Sequence, residues 1–371
     1  MTKPIAQIES AKIETDRASL MVLIEQHFQT CRKPGDHWLD YHLVMPSAFG
    51  LQLLMALATC EMIASGLGFQ LAKELAEIPY ARDQKGQQMF EHLLQKLFEV
   101  TVLRTLVSIE WPDGTVFLHE PINPASNKRP EFVVDTPDRV FVFEVKCPGL
   151  LDHQRKRTKN PRQFPARTML SKSEIRERAL ALFAGDVTLP QDNKLKDFLV
   201  SAEEKIAGFQ TAKPQTGVLV VAWDGFMYEP ISSFNHVESG LFTEASFYRD
   251  ATGVRVPFAA LDGAIILNHL TLMHRATHEL YDQHRPDVFV LEPNCPSPNV
   301  WCPNIGGGSL PNAVLKAFDA VHAQSMAMFA DYAPTEFVMW LDPRAFARNL
   351  AARRRKAALV YGVCLRPLSL S

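Results

Sequence analysis

Two apolar segments separated by a short polar one constrain the fold of this chain more than any other feature. The segments are EFVV and RVFVFEVK, and both are rich in the β-branched and aromatic residues that strands favour. A two-residue turn centred on Pro137 and Asp138 would join them as a β-hairpin. In the register that this turn sets, Glu131 lies opposite Glu144.

The charged residues at the end of the second strand give the hairpin a chemical character. Because side chains alternate, one face carries Val140, Val142, Glu144 and Lys146, and the other carries Phe141, Phe143 and Val145. Directly opposed Cβ atoms lie about 4.5–5.5 Å apart, so the two carboxylates would repel one another. A cation such as Mg²⁺ would offset this repulsion. The Lys146 ammonium group would then orient a metal-bound water or stabilise charge on a phosphate.

The remaining hydrophobic patterns predict an α/β fold. Apolar residues recur at helical spacing from about Ile8 to Leu75 and again in QKGQQMFEHLLQKLFEVTVLRTLV. Strands are predicted at TVFLHE, EFVV, RVFVFEVK, TGVLVVAW and DGAIIL, with helices around residues 171–184 and 193–210 between the later ones. This order is typical of a sheet flanked by helices.

The length of the chain predicts more than one structural region. At 371 residues it is long for one ordinary core. We predict a helical N-terminal region over residues 1–78, an α/β core over 79–292, and a loop followed by a helical C-terminal region over 293–371. The last boundary lies at the segment EPNCPSPNVWCPNIGGGSLPN, whose composition is typical of a loop.

The hairpin also carries a resemblance to a known family. Pro130-Glu131, a hairpin, and then Glu144-Val145-Lys146 after an apolar run resemble the core motif of the PD-(D/E)XK, or restriction-endonuclease-like, nuclease superfamily. The upstream GQQMFEHLL resembles the Gly-x-x-x-Phe-Glu helix that supplies a further carboxylate in many members, here Glu91. The likeness covers roughly residues 80–225 and implies a central four-stranded mixed sheet between helices.

The resemblance implies roles for five residues. Glu131 and Glu144 would be metal ligands, and the carbonyl of Val145 would be a third. Lys146 would be the catalytic lysine, and Glu91 an outer-sphere or second-metal ligand. One or two Mg²⁺ ions, or Mn²⁺ as a substitute, would then support hydrolysis of phosphodiester bonds.

Two features depart from the family pattern. Glu131 stands where Asp is commoner, which lengthens that arm by one methylene, and Asp135 on the same face is a fallback ligand. Many members also have Gln or Lys on the helix after the Glu-x-Lys strand. Lys205 or Gln210 fills that place only by loose analogy.

Basic residues cluster directly after the motif. Between Arg155 and Lys172 the chain carries seven basic residues and no acidic one. A solvated loop accounts for such a run, but its position favours a segment that follows a phosphate backbone. A second basic cluster, between Arg344 and Lys356, extends that surface or forms a solvated helix face. The predicted nucleic-acid contacts are Arg155, Lys156, Arg157, Lys159, Arg162 and Arg167.

Composition narrows the classes of partner and compartment. The net charge of −2 gives no global attraction to nucleic acid or acidic membranes, so a polyanion must be held by a local basic patch. Six scattered cysteines without a Cys-x-x-Cys spacing favour free thiols in a reducing compartment. The N-terminus lacks the apolar core of a signal peptide, so we expect a cytoplasmic protein. We interpret the 18 uncharged residues between His42 and Glu61 as a buried helix and expect no membrane association.

Four other signals are interpreted as structural. His274 and His278 are spaced to hold zinc on a helix, but neither zincin order is met. Cys295 and Cys302 lack a second ligand pair. The GGGS segment lacks the Lys of a phosphate loop, and turn or cap roles explain Asp262.

Three functions stay open at this point. The first is a metal-dependent nuclease that acts on nucleic acid, with DNA favoured over RNA. Its helical regions would shape access or bind a partner, either a second copy or another protein. The second is a catalytically inactive nuclease-like module that binds nucleic acid or protein. The third is an unrelated zinc hydrolase built around the histidine helix.

Overall fold

The predicted β-hairpin is present in the computed structural model of the chain. Strand β2 (Phe132–Asp135) pairs antiparallel with β3 (Val140–Lys146), and Val133 lies opposite Val142. The amide of Thr136 donates to the carbonyl of Arg139 at 2.9 Å and closes the turn. The predicted register is therefore confirmed.

The hairpin belongs to a seven-stranded mixed sheet whose strands lie in chain order. The structure describes residues 5–44, 47–80, 84–149, 192–209, 212–223, 228–237, 239–250, 252–278, 287–291 and 298–326. The other strands are β1 (Val116–His119), β4 (Gln215–Ala222), β5 (Gly263–Leu267), β6 (Asn299–Pro303) and β7 (Ala320–His322). The pairs β3–β4, β4–β5 and β6–β7 are parallel, and the remaining pairs are antiparallel.

Nine α-helices lie within the described ranges. The longest ones are at the N-terminal side, where Ser47 caps a helix by accepting a 3.0 Å hydrogen bond from the amide of Gly50. The helices are α1 (Ile5–Cys31), α2 (Asp40–Val44), α3 (Ala48–Ile63), α4 (Leu67–Ala76), α5 (Gln84–Val107), α6 (Asp192–Ile206), α7 (Tyr228–Asn235), α8 (Leu270–His278) and α9 (Asn312–Ala317). Together with the sheet they give the α/β class that the sequence predicts.

The sheet separates two hydrophobic layers. Phe132, Phe141 and Phe143 lie on one face, in one cluster with α5 and the N-terminal helices. Val133 and Val142 lie on the other face, in a cluster with α6 and α7. A slip of one residue in the β2–β3 register would exchange these two faces, so burial on both sides fixes the register.

The uncharged N-terminal stretch is a buried helix, as predicted. It forms most of α3, where Phe49, Leu53 and Leu57 are almost completely buried against the main core. No helix in the described part of the chain is both long and apolar enough to cross a bilayer.

The sheet extends further along the chain than the sequence predicts. Residues 293–326 were expected to form a loop and the start of a helical region, but they contain β6, the short helix α9 and β7. Trp301 and Cys302 of β6 are buried against β5. Flanking Pro and Asn residues concealed this short strand. The predicted helix at 171–184 lies outside the described residues.

Candidate functional site at the end of strand β3

Strand β3 extends beyond the point where its pairing with β2 ends. The β2–β3 ladder ends at the pair Phe132–Phe143, whereas β3 continues to pair with β4 as far as Lys146. The residues from Glu144 to Lys146 therefore have a paired strand on one side only. Side chains from helices can reach this position.

Glu144 is held between two lysine side chains. Its carboxylate is fully buried, and Oε1 lies 2.6 Å from Nζ of both Lys146 and Lys205. Oε2 accepts a 3.2 Å hydrogen bond from the amide of Glu131. We call Glu144, Lys146 and Lys205 the lysine site. Two ammonium groups against one carboxylate leave a net positive charge, which favours an anion such as phosphate.

Lys205 reaches the lysine site from the last turn of α6. The sequence offered it only by loose analogy, since its distance in the chain from Glu144 gives no sign of contact. Its ammonium group and that of Lys146 are partly accessible, with side chains 25% and 22% exposed. The structure thus places a second lysine beside the proposed catalytic one.

The predicted meeting of the Glu131 and Glu144 carboxylates is wrong. The backbone of Glu131 lies next to Glu144, but its carboxyl group is directed toward Glu99 of α5 and His119 of β1. Glu131 precedes β2 and is therefore free of the alternation that the strand imposes. Glu144 nevertheless still acts on this group, because its charge contributes to raising the pKa of Glu131.

Glu131 belongs to a half-buried group of ionisable side chains. Lys96 of α5 lies 2.9 Å from a carboxylate oxygen of Glu74 and 2.8 Å from one of Glu99. Nε2 of His119 lies 3.5 Å from Oε1 of Glu99 and 4.0 Å from Oε1 of Glu131. We call this group the histidine cluster; its members are Glu74, Lys96, Glu99, His119, Glu120 and Glu131.

The crowding of carboxyl groups changes their proton affinities. Burial and the adjacent Glu99 carboxylate raise the pKa of Glu131 well above its usual value. Burial likewise raises the pKa of Glu99, although Lys96 opposes this effect. Burial would lower the pKa of Lys96, but the carboxylates of Glu99, Glu131 and Glu74 together outweigh it and raise that pKa. Without a bound cation, Glu131 therefore tends to carry a proton.

A cation shared by Glu131 and Glu144 does not fit the observed arrangement. Their carboxyl groups have different neighbours, and Glu144 is already neutralised by two ammonium groups. Within the described part of the chain, two side-chain groups have ligand atoms all within 4.8 Å of one another, and both include His119. These are Glu74–Glu99–His119 and His119–Glu120–Glu131, and neither contains Glu144.

The remaining predicted residues near the motif take varied positions. Glu91 of α5 lies close to the chain after β3, since a methyl group placed on Gly149 would be 3.5 Å from its Oε2. Val145 pairs with Val220 of β4, and its side chain packs against the main core. Asp135 lies at the turn end of the hairpin, where it pairs with Lys213 at 2.5 Å. It is therefore not a fallback ligand at the end of β3.

Several predicted residues lie outside the described residues. They include Gln210 and the second basic cluster between residues 344 and 356. The predicted nucleic-acid contacts Arg155, Lys156, Arg157, Lys159, Arg162 and Arg167 also lie there.

The signals interpreted as structural have structural contacts where they are described. Asp262 accepts hydrogen bonds from the amides of Gly217 at 2.9 Å and Gly308 at 2.5 Å, so it ties the glycine-rich segment to β4. His274 packs edge-on against Phe90, with ring centroids 5.8 Å apart. Cys302 is buried and has a free thiol. Cys295 lies outside the described residues.

Comparisons with known proteins identified no relative of this chain. No family model, curated protein or solved structure matched the chain. The interpretation of the site therefore depends on its own geometry and on the motif resemblance.

Sequence reasoning missed most of the histidine cluster. Two signals were available: Glu99 interrupts the apolar run LFEV in α5, and His119 ends the first strand beside Glu120. A charged residue within an apolar helix face needs a buried partner. Neither signal identifies which partner it meets.

Proposed function

We propose that this chain is a metal-dependent nuclease that hydrolyses phosphodiester bonds of nucleic acid, with DNA favoured over RNA. The observation that carries the proposal is the fully buried Glu144 at the end of β3, bridged by Lys146 and Lys205. The finer fold assignment, a restriction-endonuclease-like core, belongs to the same proposal. It is supported by the mixed sheet, the hairpin that leads into the Glu-x-Lys segment, and helices on both faces.

The lysine site has the charge and exposure needed to bind a phosphate. Glu144 fixes the positions of both ammonium groups, and each lysine keeps part of its side chain accessible. Two positive groups at that position would orient a phosphodiester and stabilise the charge that develops on it. Mg²⁺, with Mn²⁺ as a substitute, enters the proposal through the motif resemblance alone.

The second candidate is an inactive nuclease-like module that binds nucleic acid or a protein partner. One observation favours it: the carboxyl groups of Glu131 and Glu144 do not converge on a common cation. Loss of a joint metal site would leave an anion-binding surface without hydrolytic activity.

A cleavage assay with matched lysine variants distinguishes the two. The purified full chain is incubated with supercoiled plasmid, single-stranded DNA and RNA, each with Mg²⁺ or Mn²⁺. Lys146→Ala and Lys205→Ala should each lower the cleavage rate by about 10²–10³-fold, the usual loss when one group that stabilises transition-state charge is removed. Lys213→Ala is the control, because Lys213 also pairs with a carboxylate of the hairpin, but at its turn end.

The outcomes are clear-cut. Activity that is lost in both test variants but kept in Lys213→Ala supports a nuclease. If the wild type and Lys146→Ala behave alike on every substrate with both metals, the proposal fails. Binding of nucleic acid without cleavage would then favour the inactive module.

A further inference from the structure

Two buried polar atoms of the histidine cluster have no hydrogen-bond partner among the described residues, although one of them, Nε2 of His119, lies 3.5 Å from Oε1 of Glu99. Nε2 of His119 and Oε1 of Glu131 are both shielded from solvent, and neither makes a hydrogen bond to any described residue. They lie 4.0 Å from each other. A buried polar atom without a partner costs about 1–3 kcal/mol, so this arrangement calls for a ligand between the two groups.

Other members of the cluster are already engaged. Lys96 holds Glu74 at 2.9 Å and Glu99 at 2.8 Å, so these two carboxylates are neutralised in part by one ammonium group. The triad His119–Glu120–Glu131 forms no ion pair with a lysine among the described residues, although the charge of Lys96 acts on Glu131. Its two carboxylates carry the charge that balances one divalent cation.

The spacing of the triad suits a metal ion. Its ligand atoms all lie within 4.8 Å of one another. Bonds of about 2.0–2.2 Å in tetrahedral geometry place ligand atoms about 3.3–3.6 Å apart. The gap between His119 and Glu131 would therefore close by roughly 0.5 Å on binding, a movement within reach of side-chain rotation.

The backbone conformation after β1 places Glu120 near His119 and Glu131. Glu120 follows β1 with a φ of 45°, and its amide donates a 3.0 Å hydrogen bond to the carbonyl of Glu131. This contact ties the ends of β1 and β2 together. His119, Glu120 and Glu131 thus come from two adjacent segments whose relative position is fixed by the sheet.

We propose that His119, Glu120 and Glu131 bind one divalent transition-metal ion, with Zn²⁺ preferred. One imidazole and two carboxylates form a three-ligand set of the kind that leaves a fourth position open. The inference does not depend on nuclease activity, because its ligands do not include Glu144, Lys146 or Lys205 and because it is tested by binding.

The open position has a route to solvent. A cleft of about 360 Å³ is lined by His119 and Glu120 together with Ser65, Gly66, Phe117 and Arg129. Glu131 lies behind these lining residues, so an ion held by the triad would sit at the wall of the cleft, where a water or an anionic ligand would complete its coordination. Arg129 adds a positive group suited to such an anion.

Metal titration of the full chain tests the proposal. After treatment with a chelator, the wild type and His119→Gln and Glu131→Gln variants are titrated with ZnCl₂ by calorimetry. The wild type should bind one equivalent whose affinity falls by at least about 10-fold in each variant, since even outer-shell changes cost 10–100-fold. MgCl₂ should bind that position more weakly than Zn²⁺.

Controls separate this site from other zinc-binding groups. His322→Gln alters a histidine of β7 and should leave the titration unchanged. His274→Gln tests the alternative histidine helix. Substitution with Co²⁺ should give visible absorption bands without the charge-transfer band of a thiolate ligand.

Several results would overturn the inference. These are equal zinc binding by the wild type and both variants, loss of the equivalent in His274→Gln, a thiolate band, or Mg²⁺ binding as tight as Zn²⁺. Should a variant fail to fold by circular dichroism, thermal unfolding of the wild type decides. Zn²⁺ at one equivalent should raise the unfolding temperature, and no rise would reject the site.

Discussion

Glu131 and Glu144 are opposite one another in the hairpin register, yet their carboxyl groups have contrasting surroundings. Glu144 is bridged by the ammonium groups of Lys146 and Lys205, whereas Glu131 lies beside Glu99 and His119. The lysine site therefore favours an anion, and the histidine cluster favours a proton or a cation. The lysine site and the histidine cluster therefore lie close together, at one end of the same hairpin, but they attract ligands of opposite charge.

The largest expected change in the free energy of unfolding follows from removing both lysines of the lysine site. Lys146→Ala and Lys205→Ala should each reduce the free energy of unfolding by about 1 kcal/mol, because the other lysine still pairs with Glu144. The double variant should lose about 3 kcal/mol, because it leaves a buried carboxylate without a partner. Urea unfolding of the four proteins measures this coupling. Additive losses would mean that the two lysines do not share Glu144.

A pair of matched glutamine variants compares the two carboxyl groups directly. Glu144→Gln should cost about 2 kcal/mol, because it removes a buried charge that two ammonium groups require. Without metal, Glu131→Gln should change stability by less than about 0.5 kcal/mol at a pH near the ordinary glutamate pKa, where the raised pKa of Glu131 keeps it protonated. Equal losses of unfolding free energy in the two variants, measured with urea, would show that the two carboxyl groups do not differ in this way.

The pH dependence of these variants sharpens the comparison. The pKa of Glu131 is raised in the folded chain, so the folded state keeps a proton that the unfolded state has released. Stability from this group is present below the unfolded pKa and is lost as pH rises through the folded pKa. The free energy of unfolding of Glu131→Gln should thus rise relative to that of the wild type as pH rises from 5.5 to 8.5, by at most about 1.4 kcal/mol per pH unit. A constant difference between them would contradict the raised pKa.

Two histidines outside the lysine site and the histidine cluster should make the folded chain less stable at acidic pH, by a smaller amount. Burial lowers the pKa of His37 and of His269, although hydrogen bonds to the carbonyls of Leu75 and Val288 oppose this effect. Both imidazoles bind a proton less readily in the folded chain than in the unfolded chain, so stability should fall as pH drops below about 6.5, where the unfolded chain gains protons. His269→Gln should reduce that fall by less than about 1 kcal/mol between pH 7 and 5.5. If the stability of this variant falls between pH 7 and 5.5 by as much as that of the wild type, His269 does not contribute to the fall.

The regular parts of the fold could be predicted because their signals are local. The turn at Pro137 and Asp138 sets the hairpin register, and alternating apolar residues assign the two faces of β3. β6 was missed because Pro and Asn flank a short strand whose burial comes from contact with β5. Charge pairs between distant segments were harder still. Lys205 could be named as a candidate, but its contact with Glu144 could not be inferred.

The sequence by itself determined strands β1 to β5, the β2–β3 register and the side of the sheet on which Glu144 lies, because turn geometry and side-chain alternation act between neighbouring residues. Only the tertiary structure decided which charges meet. Glu131 stands just outside the strand, where alternation no longer constrains it, and helix α5 and strand β1 supply the surroundings toward which its carboxyl group turns.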